Sequence, residues 1–358
     1  MCDLMKIITC VPLPPPYGGI TNWYDVLCAE AERRKIEFLN VNVSPRKSID
    51  GRSLLYRIFV QGFRMIGQRK ELKRLIDRNS DAAAVHVATS GQLALVRDIW
   101  FLRLLKKKNV RSVYHLHFGT VPKIWERNGL QYRLFRKAIN LASEVIAIDP
   151  KTYEILCGDL GEGKVHYIPN PVDVATEACE ENSKRILFLG NILKIKGIEE
   201  LLKAWKDLSE EYPEWKLTIA GFCEADYLEY LKKNYSVKSV EFCGSVVHNR
   251  AMELLAGSAF LVLPSYTEGF PNVILEAMMR QKAVIATDVG AVSDILSGEC
   301  GLVIAPKSVE EIKNAVRYLI NNPEHRRVLG QNGKNKASSQ YVTAAVVDQY
   351  EEIWRGRN

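Results

Sequence analysis

Short apolar segments alternate with helical stretches from one end of this chain to the other. The first set of apolar segments covers residues 6–11, 37–43, 82–88, 111–117, 144–148 and 165–168, and the second covers residues 185–189, 216–220, 240–243, 259–263, 283–286 and 302–304. Strands that alternate with helices at this spacing predict right-handed βαβ units and parallel sheets. Two successive sets therefore predict an α/β fold made of two doubly wound, Rossmann-like domains.

Length and charge agree with a division into two domains. The chain has 358 residues, which is more than a single hydrophobic core usually serves. Residues 1–173 carry a net charge of +10 and residues 174–358 one of −3, which together give the formal net charge of +7. This change of charge, with the acidic, non-periodic stretch 173–183, predicts a first domain over 1–173 and a second over 174–340. Because parallel sheets bind ligands at the carboxyl ends of their strands, a ligand shared by both domains would lie in a cleft between them.

Two glutamates eight positions apart follow the apolar run 259–264. Glu268 comes just before Gly269 and Pro271, and Glu276 lies further along a helix predicted to begin at Pro271. Such a start leaves three backbone N–H groups without intrahelical partners, those of Asn272, Val273 and Ile274. These donors and the helix dipole favour a phosphate. Taken singly, Glu268 could be a capping residue and Glu276 a solvated charge; the whole arrangement favours an anionic ligand.

Residues 268–276 resemble the E-x7-E motif of the retaining glycosyltransferases of family 4, which have the two-domain GT-B architecture. The resemblance also covers residues 14–19, 115–119, 168–173, 189–197, 283–290 and 301–306. It implies transfer of a sugar from a UDP- or GDP-sugar to an acceptor hydroxyl with retention of configuration and without a metal or other cofactor. It also implies that the C-terminal helix, about residues 341–358, packs on the first domain.

The resemblance assigns roles to individual residues. Glu268 would hold the donor sugar or steady its developing positive charge, Lys196 would neutralise the departing diphosphate, and His117 would bind the sugar or stabilise the transition state; these three form the expected catalytic set. The expected donor-binding set is Gly18, Gly19, Asn191, Lys196, Ser245, Val246, Gly269, Phe270, Pro271, Asn272, Val273 and Glu276, with Glu276 accepting hydrogen bonds from the ribose.

His115 and His117 point to the same side of the strand predicted over 111–117, because strand side chains alternate. The family pattern has a histidine followed by glycine here. His117 is the nearer match, although the extra Phe118 leaves the register open, and His115 is a second candidate for contact with the acceptor or the sugar. A lone histidine is more often structural; two at one strand end favour function.

The residues expected to bind the diphosphate depart from the family pattern at one position. The family usually has an arginine directly after the glycine that follows the strand over 185–189, and this chain has Asn191 there. Either Lys194 or Lys196, which is expected to open the next helix, carries the charge, or the phosphate is held more weakly. In the first domain, Gly18 and Gly19 follow the strand over 6–11 without forming a G-x-G-x-x-G fingerprint, so the diphosphate contact expected there rests on the resemblance.

The basic residues of the first domain suggest a membrane surface. Cationic and large apolar residues alternate over 52–74, and a second basic cluster lies within 97–111. Such helices either contact anionic headgroups or are crossover helices with solvated basic faces. No nucleic-acid-binding motif accompanies the charge. The eight scattered cysteines, the lack of a signal-peptide layout and the lack of a long apolar run favour a cytoplasmic protein at the inner face of the membrane.

Three hypotheses for function remain open at this point. The first is a hexosyltransferase-type enzyme that builds a surface or capsular polysaccharide or glycolipid on a glycan or lipid-linked acceptor. The second is a nucleotide-sugar epimerase on the same architecture. The third is a non-catalytic subunit that binds a nucleotide sugar or a partner, which Asn191 makes conceivable.

Overall fold

The computed structural model of the protein describes residues 4–14, 18–44, 54–175, 183–235, 237 and 239–356, and the side chains of 54–61 are not part of that description. Parts of four predicted features lie outside these ranges. They are residues 15–17 of the segment 14–19, residues 52–53 and the side chains of 54–61 in the basic stretch, residues 176–182 of the predicted domain boundary, and residues 357–358 of the predicted C-terminal helix.

In the described part of the chain, twelve strands form two parallel six-stranded sheets, each flanked by helices, so the predicted α/β fold class is confirmed. The strands are β1 (Met5–Val11), β2 (Ile36–Asn42), β3 (Ala84–Thr89), β4 (Ser112–Leu116), β5 (Glu144–Ala147), β6 (Val165–Tyr167), β7 (Arg185–Leu189), β8 (Lys216–Ala220), β9 (Val240–Gly244), β10 (Phe260–Leu263), β11 (Ala283–Thr287) and β12 (Leu302–Ile304). Each of the twelve predicted segments coincides with one of these strands. Most of the observed strands are almost wholly buried, which explains why continuous apolar runs identified them.

The helices of the described part of the chain lie between these strands as crossover connections, except the last three, which follow β12. They are α1 (Gly19–Arg33), α2 (Leu54–Arg78), α3 (Ala94–Lys107), α4 (Val121–Arg127), α5 (Leu130–Leu141), α6 (Pro150–Leu160), α7 (Ile198–Glu211), α8 (Ala225–Asn234), α9 (His248–Ala256), α10 (Asn272–Met279), α11 (Val292–Ile295), α12 (Val309–Asn321), α13 (Pro323–Gln340) and α14 (Thr343–Arg355). Within the described ranges, no helix is both long enough and apolar enough to cross a membrane.

The chain forms two compact units. Unit 1 comprises Met1–Pro171 and Thr343–Asn358, and its sheet has the order β2-β1-β3-β4-β5-β6. Because strand side chains alternate, each of the strands β1 to β5 supplies two hydrophobic clusters. From β1, Ile8 and Cys10 pack with α2 to α6, whereas Ile7 and Val11 pack with α1 and α14.

Helix α14 completes the second of these clusters in unit 1. Val346, Val347, Tyr350 and Trp354 are each at most 1% exposed and lie in the cluster built on α1. At the helix surface, Arg34 forms ion pairs with acidic residues of α14. Fully burying an apolar side chain contributes about 1.5–3 kcal/mol, so these four side chains dominate the docking of this helix.

Unit 2 comprises Val172–Val342, and its sheet has the order β12-β11-β10-β7-β8-β9. Successive strands run outward in one direction from β7 to β9 and then in the other from β10 to β12. The order therefore reverses between β7 and β10, which are hydrogen-bonded neighbours. In open parallel sheets, the crevice beyond the carboxyl ends of two such strands is the usual ligand position.

Candidate functional site

Two segments meet at the carboxyl ends of β7 and β10 in unit 2. A single 3-10 turn, Lys194–Lys196, follows β7, and the backbone N–H of Tyr266 in the loop after β10 donates to the carbonyl of Ile195 at 2.8 Å. Gly197 has φ +69°, and a Cβ there would lie 2.0 Å from the carbonyl oxygen of Pro264. Only glycine permits both that backbone conformation and this close approach, so the turn and the loop are held against each other.

This contact brings two of the predicted catalytic residues together. The Nζ atom of Lys196 lies 2.6 Å from Oε1 of Glu268, and the Ser265 hydroxyl donates to the same oxygen at 2.6 Å. The Lys196 side chain is 23% exposed and the Glu268 side chain 10%. Thr287 in turn donates to the carbonyl of Ser265 at 2.5 Å. Charge-assisted bonds in such a sheltered position hold the ammonium and the carboxylate in a fixed arrangement.

The loop after β11 supports the Glu268 backbone. Gly290 has φ +59°, and a Cβ there would lie 2.4 Å from the carbonyl oxygen of Glu268. The backbone N–H of Ala291 donates to the carbonyl of Gly269 at 3.0 Å. Sequence reasoning placed residues 283–290 in the family resemblance but gave neither Gly290 nor Ser265 a role. In the sequence, only their small size and their position just after a strand could have indicated a role for Gly290 and Ser265.

The start of α10 differs from the prediction. The helix begins at Asn272 and Pro271 is its N-cap residue, not its first helical position. The N–H of Ile274 donates to the carbonyl of Pro271 at 3.0 Å, so the prediction that Ile274 offers a donor to a phosphate is wrong. Phe270 is 7% exposed and its ring contacts Tyr341, so its side chain packs in the core and leaves only its backbone for a ligand.

Glu276 lies on α10, just over one turn from the helix start. Burial raises the pKa of its carboxyl above the ordinary value, while the charges of His248 and Arg280 oppose that shift. His248 is the first residue of α9, the helix that follows β9. Its position near Glu276 was not predicted, since the two residues are far apart in sequence.

The lysines after β7 are arranged differently from the prediction. Lys196 does not open a helix: it ends the 3-10 turn, and α7 begins at Ile198. The Lys194 side chain is 69% exposed, and its Nζ lies 3.7 Å from Glu199. Of the two lysines, Lys196 is thus the sheltered one. Asn191, at the carboxyl end of β7, is exposed.

The other donor-binding candidates of unit 2 lie at the same edge of the sheet. Ser245 and Val246 follow β9, with Ser245 exposed and Val246 half-buried, and Gly269 and Val273 flank the start of α10, both half-buried. A ligand reaching from Val246 to Glu276 would cross the carboxyl ends of β9, β8, β7 and β10, in the order in which the sheet places them.

In unit 1, Gly18 and Gly19 lie between β1 and α1. Gly18 is extended and caps the helix: its N–H donates to the Thr21 hydroxyl at 2.6 Å, and that hydroxyl donates to the Gly18 carbonyl at 2.8 Å. Both glycines are exposed, and a Cβ at either would meet no described atom within 4 Å. Protein packing in the described part of the chain therefore does not require glycine at these positions.

The two candidate histidines differ in exposure. β4 ends at Leu116, one residue before the predicted end, and the N–H of His117 continues the pairing by donating to Thr89 at 2.9 Å. The rings of His115 and His117 lie 4.0 Å apart. His115 is 0% exposed, whereas His117 is half-buried at the strand end. In this structure His115 therefore offers no surface to an acceptor or sugar, contrary to its predicted role.

Known structures share the architecture of the whole chain. Sucrose-phosphate synthase from Thermosynechococcus elongatus superimposes with a TM-score of 0.77 at 16% identity over 98% of both chains. The crystal structure of Anabaena HepE in complex with UDP-glucose gives 0.74 at 18% identity over 98% of this chain and 100% of HepE. At these identities the likeness concerns the fold alone. The chain has the GT-B fold of these glycosyltransferase structures.

Sequence comparisons identify the family. The model described as glycosyl transferases group 1 matches residues 172–336, and the model described as glycosyltransferase family 4 matches residues 17–176. An uncharacterized glycosyltransferase of Methanocaldococcus jannaschii, MJ1178, is 33% identical over 255 residues, which are 70% of this chain and 71% of that protein. The chain belongs to the glycosyltransferases, with domains of the group 1 and family 4 types.

Other relatives match over shorter regions. A second M. jannaschii protein, the uncharacterized glycosyltransferase MJ1069, is 30% identical over 49% of this chain. The capsular polysaccharide biosynthesis glycosyltransferase CapM of Staphylococcus aureus is 26% identical over 47% of it. The chain spans about half the length of these two relatives, 45% and 44% respectively.

Proposed function

We propose that this protein is a retaining glycosyltransferase of the hexosyl type, which moves a sugar from a UDP- or GDP-sugar to an acceptor hydroxyl. The observation that carries the proposal is the Lys196–Glu268 pair, 2.6 Å apart at the strand-order reversal of unit 2. A cation and a carboxylate fixed side by side suit a donor whose two halves develop opposite charges as they separate. The UDP-glucose bound to HepE supports a nucleotide sugar as the ligand class.

The reaction places negative charge on the leaving group. The bond between the anomeric carbon and the diphosphate oxygen breaks with its electron pair on the diphosphate, a new bond forms to the acceptor oxygen, and the acceptor proton leaves with the nucleotide. The largest contribution to such catalysis is preorganised positive charge at the departing oxygen. Lys196 supplies it, because the carboxylate of Glu268 and the backbone around Ile195 already hold it in place.

The carboxylates act on the other parts of the donor. Glu268 keeps one oxygen engaged with Lys196 and Ser265, and its second oxygen can accept a sugar hydroxyl or face the positive charge that develops at the anomeric carbon. Glu276, further along the same edge, would accept hydrogen bonds from the ribose. Asn191, Ser245 and Val246 would contact the remaining nucleotide. We propose that no metal is needed, because Lys196 provides the neutralising charge.

Acceptor-dependent release of nucleoside diphosphate tests this proposal. UDP- and GDP-sugars are first screened by thermal shift, since a ligand that binds only the folded state raises its apparent stability. We expect one of them to be turned over only when an acceptor is added, at an equal rate in EDTA, with the anomeric configuration of the product retained by NMR. Binding without turnover would favour a non-catalytic subunit, and an altered donor sugar without nucleotide release would favour an epimerase.

We further propose that transfer takes place at the inner face of the cytoplasmic membrane, on a glycan or lipid-linked acceptor of surface or capsular polysaccharide or glycolipid synthesis. In unit 1, α2 and α3 pack on one face of the sheet. These helices and the N-cap residue of α3, Leu93, leave apolar side chains exposed: Ile66 43%, Leu93 89%, Val96 41% and Trp100 38%. Exposed cations of α2 accompany them, namely Arg69, Lys70, Lys73 and Arg74. Apolar groups with cations suit an anionic bilayer surface. The capsular role in the name of CapM supports this setting.

Vesicle flotation measures this association. We expect binding to vesicles that contain anionic phospholipid, weaker binding to purely zwitterionic vesicles, and a decrease with salt, because the headgroup attraction is screened. The double substitution Leu93→Ser and Trp100→Ser should reduce binding by at least tenfold, because a tenfold loss needs only about 1.4 kcal/mol, which is less than two buried CH₂ groups contribute at about 0.8 kcal/mol each. The control is Val303→Ser, which removes an exposed valine of unit 2. Equal binding of all three proteins would contradict the assignment of this surface.

A further inference from the structure

Three histidines and three large aromatic residues form one cluster in unit 1, which is buried except for the half-buried His117. His86 of β3 and His115 of β4 point to the sheet face that α1 and α14 cover, and His117 follows on the same side. Trp23 of α1 and Tyr350 and Trp354 of α14 surround them, with ring centroids 4.6 to 5.9 Å from individual histidine rings. His86, Trp354 and Tyr350 have no assigned part in the proposed reaction.

The hydrogen bonds of this cluster have a defined direction. The indole N–H of Trp354 can only donate, and it donates to Nδ1 of His86 at 3.0 Å. A neutral His86 must therefore carry its proton on Nε2, which lies 3.1 Å from Nδ1 of His115. His86 donates across that gap, so Nδ1 of His115 is the acceptor. The proton of His115 is consequently on Nε2.

Burial keeps this chain of rings neutral. It lowers the pKa of His86 and of His117 to about 3 and that of His115 well below its ordinary value, with the neighbouring histidines adding to the shift for His115 and His117. In addition, the Trp354 N–H occupies the Nδ1 lone pair on which a second proton of His86 would sit. Near neutral pH, the tautomers of His86 and His115 are what remains to be specified along these hydrogen bonds, and Trp354 specifies both.

The chain of hydrogen bonds ends beside His117. Nε2 of His115 is buried and has no hydrogen-bond partner within the described ranges, and the same holds for Nε2 of His117. The His117 ring is packed between His115, at 4.0 Å, and Trp23, at 4.6 Å. His115 is itself held edge-on against Trp23 at 5.0 Å. The orientation of His117 thus depends on how His115 is held.

We propose that Trp354 and His86 are positioning residues for glycosyl transfer: their directed hydrogen bonds fix His115 as the Nε2–H tautomer, and His115 with Trp23 then holds the ring of His117 in one orientation. This inference rests on the proposed function of His117. Helix α14 thereby supports the ligand side of β4 although its Trp354 is 268 residues from His86 in sequence. A purely structural cluster would require the ring volumes but not the direction of the hydrogen bonds.

Substitution of Trp354 by Phe separates these two roles, since it keeps most of the ring volume and removes the donor. The protein has six histidines, so ¹⁵N NMR of histidine-labelled protein can assign each tautomer by single substitutions. We expect His86 and His115 to be pure Nε2–H tautomers in the wild type and mixtures in Trp354→Phe. The kcat should fall by about 10–100-fold, as it does when outer partners of metal-bound histidines are removed, with little change in the donor KM.

Three further variants keep the test decisive. The amide of His86→Gln can still accept a hydrogen bond from Trp354 and donate one to His115, so this variant should retain the wild-type kcat. His86→Leu can do neither, so its kcat should fall as that of Trp354→Phe does. Trp125→Phe, which removes another indole of unit 1 outside this cluster, should change neither spectra nor kcat. Unchanged tautomers in Trp354→Phe, or mixed tautomers with unchanged kcat, would overturn the inference. The NMR spectra report the tautomers without any turnover. If the proposed function were wrong, the wild-type protein would transfer no sugar, and that result is obtained independently of the spectra.

Discussion

Lys196→Ala is expected to lower kcat/KM for the donor by about 10²–10³, the usual loss when one preorganised group that stabilises the developing charge is removed. The effect should be large because the part-buried ammonium, 2.6 Å from Glu268, is the sheltered cation at the end of β7. Asn191, with no charge, cannot take over its role. Steady-state nucleotide release, with the melting temperature measured in parallel, gives the result.

Lys194→Ala is the matched control. Lys194 lies in the same 3-10 turn, but its side chain is 69% exposed and its nearest carboxylate is 3.7 Å away, so its removal should change kcat/KM less than threefold. Comparison of the two variants also shows which of the two lysines neutralises the diphosphate, a question that the sequence left open. Equal losses in both variants, or a larger loss in Lys194→Ala, would show that the charge on the diphosphate is not supplied by Lys196.

Glu276→Gln is expected to have two effects of opposite sign. Donor affinity should fall by about 10–100-fold, because hydrogen bonds to a charged acceptor contribute about 1.5–3 kcal/mol. The ligand-free protein, in contrast, should melt at a higher temperature at neutral pH. Burial raises the pKa of Glu276, so the ionised carboxylate is held at a cost that a neutral amide avoids.

The pH dependence follows from the direction of that shift. An acid whose pKa is raised in the folded state binds its proton more tightly there than in the unfolded chain. Its contribution to stability is therefore greatest below the unfolded-state pKa and is lost as the pH rises through the folded-state pKa. The advantage of Glu276→Gln over the wild type should be largest at neutral pH and should disappear below the ordinary value of 4.5.

Melting curves from pH 4 to pH 8, together with donor titrations, measure both effects. Glu253→Gln is the control, since Glu253 is an exposed glutamate of the neighbouring helix α9, paired with Arg250. It should alter neither donor affinity nor the pH profile beyond a small uniform shift. If Glu276→Gln bound the donor as tightly as the wild type does, the assignment of Glu276 to the ribose would be wrong.

Much of the fold could be predicted because the signal for buried parallel strands is local. The apolar runs at 185–189, 216–220 and 302–304 became strands with the same bounds, and the other predicted ends differ by no more than two residues. Helix starts were less predictable, as Pro271 and Lys196 show. A few hydrogen bonds decide whether the first turn is α-helical, 3-10 or a cap, and residue preferences differ little among these states.

The chain by itself determined the fold class, the family resemblance and the candidates Glu268, Glu276, Lys196 and His117. Only the tertiary structure decided which of them meet. The pairing of Lys196 with Glu268 requires β10 to lie beside β7, and the order of hydrogen bonds from Trp354 to His115 requires α14 to return to unit 1. Local patterns specify strands and helices because conformational preferences act over a few residues, whereas neighbours distant in sequence are chosen by the packing free energy of the whole unit.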